Sequence, residues 1–254
     1  MVFHTYGEPG RPVVLLLHGA GLSYWAYEAA AVQLAAEYRV VLPTLDGYGD
    51  AAETPFASIQ ASAQEVLGYV REQCGGAVFA LGGLSLGAQI ATEVLSLQPD
   101  IARFAVLESA LVCKVPGMEE MSAPLARMSY GLLRLRWFAH WQASAMCMPE
   151  ALFERYYTDS LRISKATLVQ TLVSNAAYRM HPSLAQTTAR TLIVAGSKEL
   201  GAMQASAKLL RQTIPDSALW IAPGLKHGEW SLAQPEAFVK RVLAFCNGDA
   251  GDAA

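Results

Sequence analysis

Long apolar segments are missing from this sequence. Its apolar runs, such as Val13–Leu17, are far shorter than the roughly 18 residues that a membrane-spanning helix needs. The first residues, MVFHTYGEPG, also lack a basic region followed by an apolar core. We therefore expect neither a membrane anchor nor a signal peptide.

An excess of charge of one sign is also missing. The 254 residues carry 19 Lys+Arg against 22 Asp+Glu, a formal net charge of −3, with no basic block. This balance argues against nucleic acid and against an anionic membrane surface as partners. Hydrophobic residues make up 53% of the chain and charged residues 16%, which excludes a disordered chain and suits a single α/β domain.

Cysteine is scarce, and its spacing forms no motif. Cys74, Cys113, Cys147 and Cys246 are scattered, with no CxxC pair. The sequence therefore supports neither a zinc site nor a disulfide framework, and idle thiols fit a reducing compartment. We expect a cytoplasmic protein with no metal and no cofactor.

What the sequence does contain is an alternation of short apolar runs and helical stretches. Continuously apolar strands separated by helices are typical of a parallel sheet covered on both faces. The predicted strands are residues 13–17, 39–42, 77–81, 104–107, 191–195 and 219–222, and the predicted helices are residues 24–37, 58–73, 86–97, 203–213 and 235–245.

The alternation stops after about Val112. Residues 115–187 contain no convincing strand and are rich in Met, Leu, Trp and Arg. We interpret them as a helical lid inserted into an α/β core, which then consists of residues 1–114 and 188–254.

The pentapeptide Gly83-Leu84-Ser85-Leu86-Gly87 directly follows a predicted strand and directly precedes a predicted helix. A serine on such a sharp turn is held above the sheet in a strained conformation, and its neighbours two positions away must be small. Ser85 is therefore the candidate nucleophile.

A second signal, His18-Gly19-Ala20-Gly21, ends the first buried strand. Glycines there let a backbone N–H face a developing oxyanion. We expect the N–H groups of Ala20 and Leu86 to form that oxyanion hole, and His18 to organise the loop rather than act in catalysis.

Taken together, these motifs make the chain resemble an α/β-hydrolase over nearly its whole length. The resemblance rests on HGAG, LDGYGD at 45–50, GLSLG, the lid-like insertion, GSKE at 196–199 and GLKHGE at 224–229. It implies an α/β fold with a mostly parallel sheet of about seven to eight strands flanked by helices. Before the first buried strand, only residues 2–6 are available to form a strand, so seven strands result if one edge strand of the family is absent.

The family order of nucleophile, acid and histidine is reproduced by Ser85, Glu199 and His227. His227 is the natural base, because it lies in a glycine-bracketed loop after the last predicted strand. Glu199 stands where the family usually has Asp. Glu108 is the alternative acid, because it ends the strand that follows the Ser85 turn, where some relatives place the acid. The other acidic residues of these loops are expected to be structural: Asp46, Asp50 and Glu229.

The resemblance implies a small-molecule ester substrate, and the apolar lid suggests an apolar or aromatic acyl or alcohol group. Most apolar side chains of the lid are expected to pack the lid against the α/β core. Four aromatic residues are expected to bind the substrate: Tyr24, Trp25, Trp137 and Trp141.

Two other functions fit the same motifs. A C–C bond hydrolase of this fold would need a polar, arginine-bearing pocket, for which Arg127, Arg134 and Arg136 are available. A non-catalytic receptor on the hydrolase fold would also keep these residues. The oligomeric state is left open.

Overall fold

Strands rich in Val, Leu and Ala form the centre of the molecule. The computed structural model describes residues 1–248, and residues 249–254, the end of the predicted core, lie outside it. Within the described part, the strands are β1 (Val2–Tyr6), β2 (Val13–Leu17), β3 (Arg39–Thr44), β4 (Val78–Leu84), β5 (Ala102–Glu108), β6 (Arg190–Gly196) and β7 (Ser217–Ala222).

Helices connect these strands. The α-helices are α1 (Glu28–Leu34), α2 (Ile59–Gln73), α3 (Leu86–Leu97), α4 (Met118–Ser129), α5 (Arg136–Ala145), α6 (Phe153–Arg162), α7 (Lys165–Ala177), α8 (Gly201–Thr213), α9 (Glu229–Ala233) and α10 (Pro235–Asn247). Short 3₁₀ helices occupy Tyr24–Tyr27, Gly49–Ala51, Tyr130–Arg134, Glu150–Leu152 and Pro182–Gln186.

The strands form one sheet in the order β1-β3-β2-β4-β5-β6-β7. All neighbours are parallel except the edge strand β1, which pairs antiparallel with β3. The prediction of a mostly parallel sheet flanked by helices is therefore confirmed, with seven strands in the described residues. The carboxyl ends of the parallel strands meet at one edge, where ligands bind in open α/β sheets.

Helices cover both faces of the sheet, because successive side chains of each buried strand point in opposite directions. In β2, Leu15 and Leu17 pack into one core with residues of α2, α3 and α8. Val14 and Leu16 pack into the other core with residues of α1 and α10.

Several helix ends differ from the predicted ones. The single helix predicted over 24–37 is divided, because Tyr27 leaves helical geometry at φ −109° and ψ 3°, and α1 ends at Leu34. The start of α2 is as predicted, since the Ser58 hydroxyl accepts a hydrogen bond from the backbone N–H of Ala61 at 3.0 Å.

The segment between β5 and β6 folds as α4 to α7. Its last helix is anchored to the sheet domain, because the Ser174 hydroxyl accepts from the N–H of Ile59 at 3.1 Å and the hydroxyls of Thr171 and Tyr48 lie 2.7 Å apart. None of the helices within residues 1–248 is long and apolar enough to cross a membrane.

Candidate active site

Ser85 occupies a sharp turn between β4 and α3. Its backbone has φ 54° and ψ −111°, a region that residues with a side chain rarely adopt. A Cβ atom on Gly83 would lie 2.3 Å from the carbonyl carbon of Gly87, and one on Gly87 would lie 2.1 Å from the carbonyl oxygen of Leu17. Both glycines are therefore required for the chain to turn here, which places Ser85 at the carboxyl edge of the sheet.

The loops after β6 and β7 bring Glu199 and His227 together. They pack closely, since a Cβ atom on Gly196 would lie 2.2 Å from the carbonyl oxygen of Leu225. Nδ1 of His227 lies 2.7 Å from Oε2 of Glu199. The Glu199 side chain is 1% exposed and that of His227 is 42% exposed, so the imidazole is held by a buried carboxylate and still reaches open space.

The second oxygen of Glu199 is also held. Its Oε1 accepts a hydrogen bond from the backbone N–H of Gly196 at 2.5 Å and another from the Ser109 hydroxyl at 2.8 Å. Burial alone would raise the pKa of Glu199, but the hydrogen bonds from His227, Gly196 and Ser109 outweigh it, so the pKa lies below its ordinary value. Glu199 is therefore ionised at neutral pH.

Ser109 is a site residue that the sequence analysis missed. It directly follows β5 with φ 57°, and its N–H donates to the carbonyl oxygen of Val194 in β6 at 2.8 Å. That backbone conformation aims its hydroxyl at Glu199. The signal available in the sequence was its position at the end of a strand next to β6, beside Glu108.

Ser85 and His227 line the same small cavity, of about 30 Å³. Ala20 of the predicted oxyanion loop lines it too, and Leu86 begins α3 immediately after Ser85. The structure therefore brings Ser85, His227, Glu199, Ala20 and Leu86 into one place at the carboxyl edge of the sheet.

His18 is buried beneath this loop. One ring nitrogen, Nδ1, lies 2.8 Å from the carbonyl oxygen of Gly19, and Nε2 accepts from the N–H of Leu45 at 3.0 Å. Burial lowers the pKa of His18 to about 4, so the ring is neutral and its two contacts fix one tautomer. His18 therefore connects the loop after β2 to the residue that follows β3, and these contacts hold the loop in place.

Glu108 is hydrogen-bonded to α9 rather than to the histidine. Its side chain is buried, and Oε1 accepts from the N–H of Ser231 in α9 at 3.4 Å. Burial raises the pKa of Glu108 to about 7. Of the two acid candidates, Glu199 is the one in hydrogen-bond contact with His227.

A larger cavity of about 350 Å³ lies between the helical segment and the loop after β2. It shares Ala20 and Met146 with the small cavity, so the two adjoin. Among the described residues that line it, none is charged. They are Ala20, Gly21, Tyr48, Leu133, Trp141, Gln142, Ala145, Met146, Tyr156, Ser160, Ile163, Leu168, Thr171 and Leu172.

The four aromatic residues expected to bind substrate lie in different parts of the structure. Trp141 lines the large cavity, whereas Trp137 is 66% exposed and lines neither cavity. Tyr24 and Trp25 lie in a separate polar cleft, where the indole N–H of Trp25 donates to Asp159 at 2.8 Å. Both residues contact side chains of α6, and neither lines the cavity of Ser85 or the larger cavity, so their role in substrate binding stays a prediction.

Other residues singled out in the sequence have local partners. Asp46 pairs with the N-terminal amino group at 2.7 Å, and Asp50 lies 2.9 Å from His4. Glu229 accepts from the N–H of Lys226 at 2.9 Å. Within residues 1–248, no group of three or more His, Cys, Asp and Glu side chains is arranged to hold a metal ion.

Comparison with known proteins gives consistent matches over most of the chain. The model of the alpha/beta hydrolase family matches residues 14–241. A pimeloyl-[acyl-carrier protein] methyl ester esterase of Edwardsiella ictaluri is 24% identical over 98% of both chains.

Solved structures agree on the fold. A thermophilic esterase from Thermogutta terrifontis matches with a TM-score of 0.80 and 21% identity, covering 97% of this chain and 93% of that one. The enol-lactonase from Burkholderia xenovorans LB400 matches with a TM-score of 0.78 and 17% identity, covering 97% and 96%.

Proposed function

The chain belongs to the alpha/beta hydrolase family, and from that premise we propose that it is a serine esterase acting through an acyl-enzyme on Ser85. One observation carries the proposal: the Glu199–His227 pair is formed at the cavity that Ser85 lines. A serine hydroxyl is a weak nucleophile at neutral pH, and a neighbouring imidazole activates it by taking its proton. Because Nδ1 of His227 is engaged by Glu199, Nε2 is the nitrogen left for that task.

The reaction proceeds in two halves. Oγ of Ser85 attacks the ester carbonyl carbon while His227 takes its proton, and the resulting imidazolium is stabilised by Glu199. Collapse of the tetrahedral intermediate expels the alcohol, which takes the proton back from His227. Water, activated by the same imidazole, then attacks the acyl-enzyme and releases the acid and free Ser85.

The oxyanion formed in each half requires two N–H donors. We assign these to Ala20 and Leu86. Ala20 lines the cavity of Ser85, and Leu86 stands at the first turn of α3, where helix N–H groups have no partner within the helix.

The two cavities suggest which part of the ester lies where. His227 must reach the leaving oxygen, so the alcohol belongs on its side, in the small cavity of about 30 Å³. The acyl group then extends past Met146 into the larger, uncharged cavity. This assignment predicts a small alcohol and an apolar acyl chain, and the methyl ester hydrolysed by the Edwardsiella ictaluri relative is in keeping with it.

Residues 115–187 would act as the lid. Met146, which directly follows α5, lines both cavities, so this segment forms one wall of the proposed acyl site. A lid of this kind keeps water from the reacting ester.

Carbon–carbon bond hydrolysis gains no support from the arginines. Arg134 donates to the Tyr130 hydroxyl at 3.1 Å, and Arg136 pairs with Glu154. Neither lines the large cavity, nor does Arg127, so the uncharged lining favours an ester with an apolar acyl group.

The test is methanol release from methyl esters of C2 to C12 acids by the purified protein. We expect turnover by the wild type and a loss of at least about 10⁴-fold in Ser85→Ala. The exposed serine Ser144, changed to Ala, is the matched control and should keep wild-type activity. Failure of the wild type to hydrolyse any of these esters would overturn the proposal and favour a receptor.

A further inference from the structure

An amide side chain interrupts the apolar lining of the large cavity. Gln142 of α5 lines it, and the hydroxyl of Tyr156 donates a hydrogen bond to Oε1 of Gln142 at 3.1 Å. This contact fixes the orientation of the amide, because its acceptor end already faces Tyr156. The Nε2 group, with two N–H donors, is the end that remains to bind another molecule.

The hydroxyls around it already have partners in the protein. Those of Tyr48 and Thr171 lie 2.7 Å apart, and the Ser160 hydroxyl donates to the carbonyl oxygen of Tyr157 at 2.7 Å. The lining has no charged group among the described residues. The cavity therefore suits a neutral chain with a hydrogen-bond acceptor opposite Gln142, and it offers a carboxylate no countercharge.

Gln142 lies one helical turn from a residue that borders both cavities. It lies four residues before Met146, which borders both cavities, and the N–H of Met146 donates to the carbonyl oxygen of Gln142 at 3.0 Å. Residues four apart share a helix face and are separated by about one turn, roughly 5–6 Å. An acyl chain that passes Met146 meets Gln142 one helical turn further on.

We propose that Gln142 forms a subsite for a neutral carbonyl group carried on the acyl chain of the substrate, several carbons from the ester. This inference rests on the proposed esterase function. An alkyl chain at the same place would remove water from the amide and leave its N–H donors unpaired, which lowers affinity. A carboxylate there would lose its hydration without gaining a cation.

Three methyl esters of matched chain length test the proposal: hexanoate, the keto ester with its oxygen on the fifth carbon, and the monoester of adipic acid. In the wild type we expect kcat/KM for the keto ester to exceed that for hexanoate by about tenfold, the value of one neutral hydrogen bond. The adipate monoester should fall at least about tenfold below hexanoate.

Two variants assign the preference to a residue. In Gln142→Leu the keto-to-hexanoate ratio should fall to about one, whereas in Gln170→Leu, an exposed glutamine of α7, it should stay at the wild-type value. A ratio near one in the wild type, or a ratio that survives in Gln142→Leu, would overturn the subsite.

A binding measurement separates this inference from the proposed function. The Ser85→Ala variant should bind the keto ester about tenfold more tightly than methyl hexanoate, as measured by tryptophan fluorescence, because this preference does not require turnover. If the wild type hydrolyses none of the esters while this preference holds, the esterase proposal fails and the subsite stands. Equal binding of the two esters contradicts the subsite whether or not hydrolysis is seen.

Discussion

Nδ1 of His227 lies 2.7 Å from Oε2 of Glu199, and Oε1 of the same carboxylate accepts hydrogen bonds from the Ser109 hydroxyl and the Gly196 N–H. Two donors thus hold the carboxylate at Oε1, while its other oxygen, Oε2, contacts the imidazole. A histidine oriented in this way presents Nε2 to its other neighbour, which at this site is the cavity lined by Ser85.

The first prediction concerns the acid. Glu199→Gln should fold and lower kcat by about 10²- to 10⁴-fold, because an amide cannot stabilise an imidazolium. Glu108→Gln is the matched control and should cost less than about tenfold, since its side chain contacts Ser231 rather than His227. Steady-state kinetics on both variants, after a thermal melt, decides between them. The reverse ranking would place the acid at Glu108.

The second prediction concerns Ser109. Removing its hydroxyl in Ser109→Ala takes one hydrogen bond from Glu199, so the pKa of Glu199 should rise and kcat should fall by about three- to tenfold. Because the ionised carboxylate is needed, the acid limb of the pH–rate profile should move to higher pH. An unchanged acid limb would show that Ser109 has no influence on the carboxylate.

The third prediction concerns how the free energy of unfolding depends on pH. Burial raises the pKa of Glu108 from 4.5 to about 7, with Tyr27, Ser231, His227 and Glu199 nearby. Since the folded pKa is the higher one, the stability that the neutral carboxyl contributes is complete below about pH 4.5 and is lost as pH rises to about 7. The loss amounts to about 3 kcal/mol.

Glu108→Gln removes this titration. Thermal melts at a series of pH values should show the Tm of the wild type falling relative to the variant between about pH 4.5 and 7 and then levelling off. A constant difference across this range would mean that Glu108 is ionised throughout.

The fourth prediction concerns the acyl chain. Because the large cavity is apolar, kcat/KM for methyl esters should rise from acetate toward medium chain lengths, by up to about fourfold for each CH₂ buried at roughly 0.8 kcal/mol. Steady-state kinetics on the C2 to C12 methyl esters measure this dependence of kcat/KM on chain length. A steady fall from acetate would show that acyl chains do not enter the large cavity.

The element order could be predicted from the sequence because it depends on local patterns. The continuously apolar run Val13–Leu17 indicated a buried strand, and Ser58 indicated a helix start, where its hydroxyl caps α2. The positions two before and two after Ser85 were predicted to require small residues. The structure gives the reason, because the backbone of Gly87 crowds Gly83 and the backbone of Leu17 crowds Gly87.

What the sequence did not reveal depends on packing between distant segments. The role of Ser109 follows from a left-handed backbone at the end of β5, which nothing in the surrounding sequence demands. The contact of Trp25 with Asp159 of α6, which places its indole in a separate cleft, likewise joins residues far apart in the sequence. Gln142 was not singled out either, because its partner Tyr156 lies on a different helix of the inserted segment.

The central claim is that Ser85 is an activated nucleophile, and reaction with a fluorophosphonate tests it most directly. Intact mass spectrometry should show one adduct on the wild type and on Ser144→Ala, none on Ser85→Ala, and much slower labelling of Glu199→Gln. An unlabelled wild type, or equal labelling of Ser85→Ala, would contradict the account.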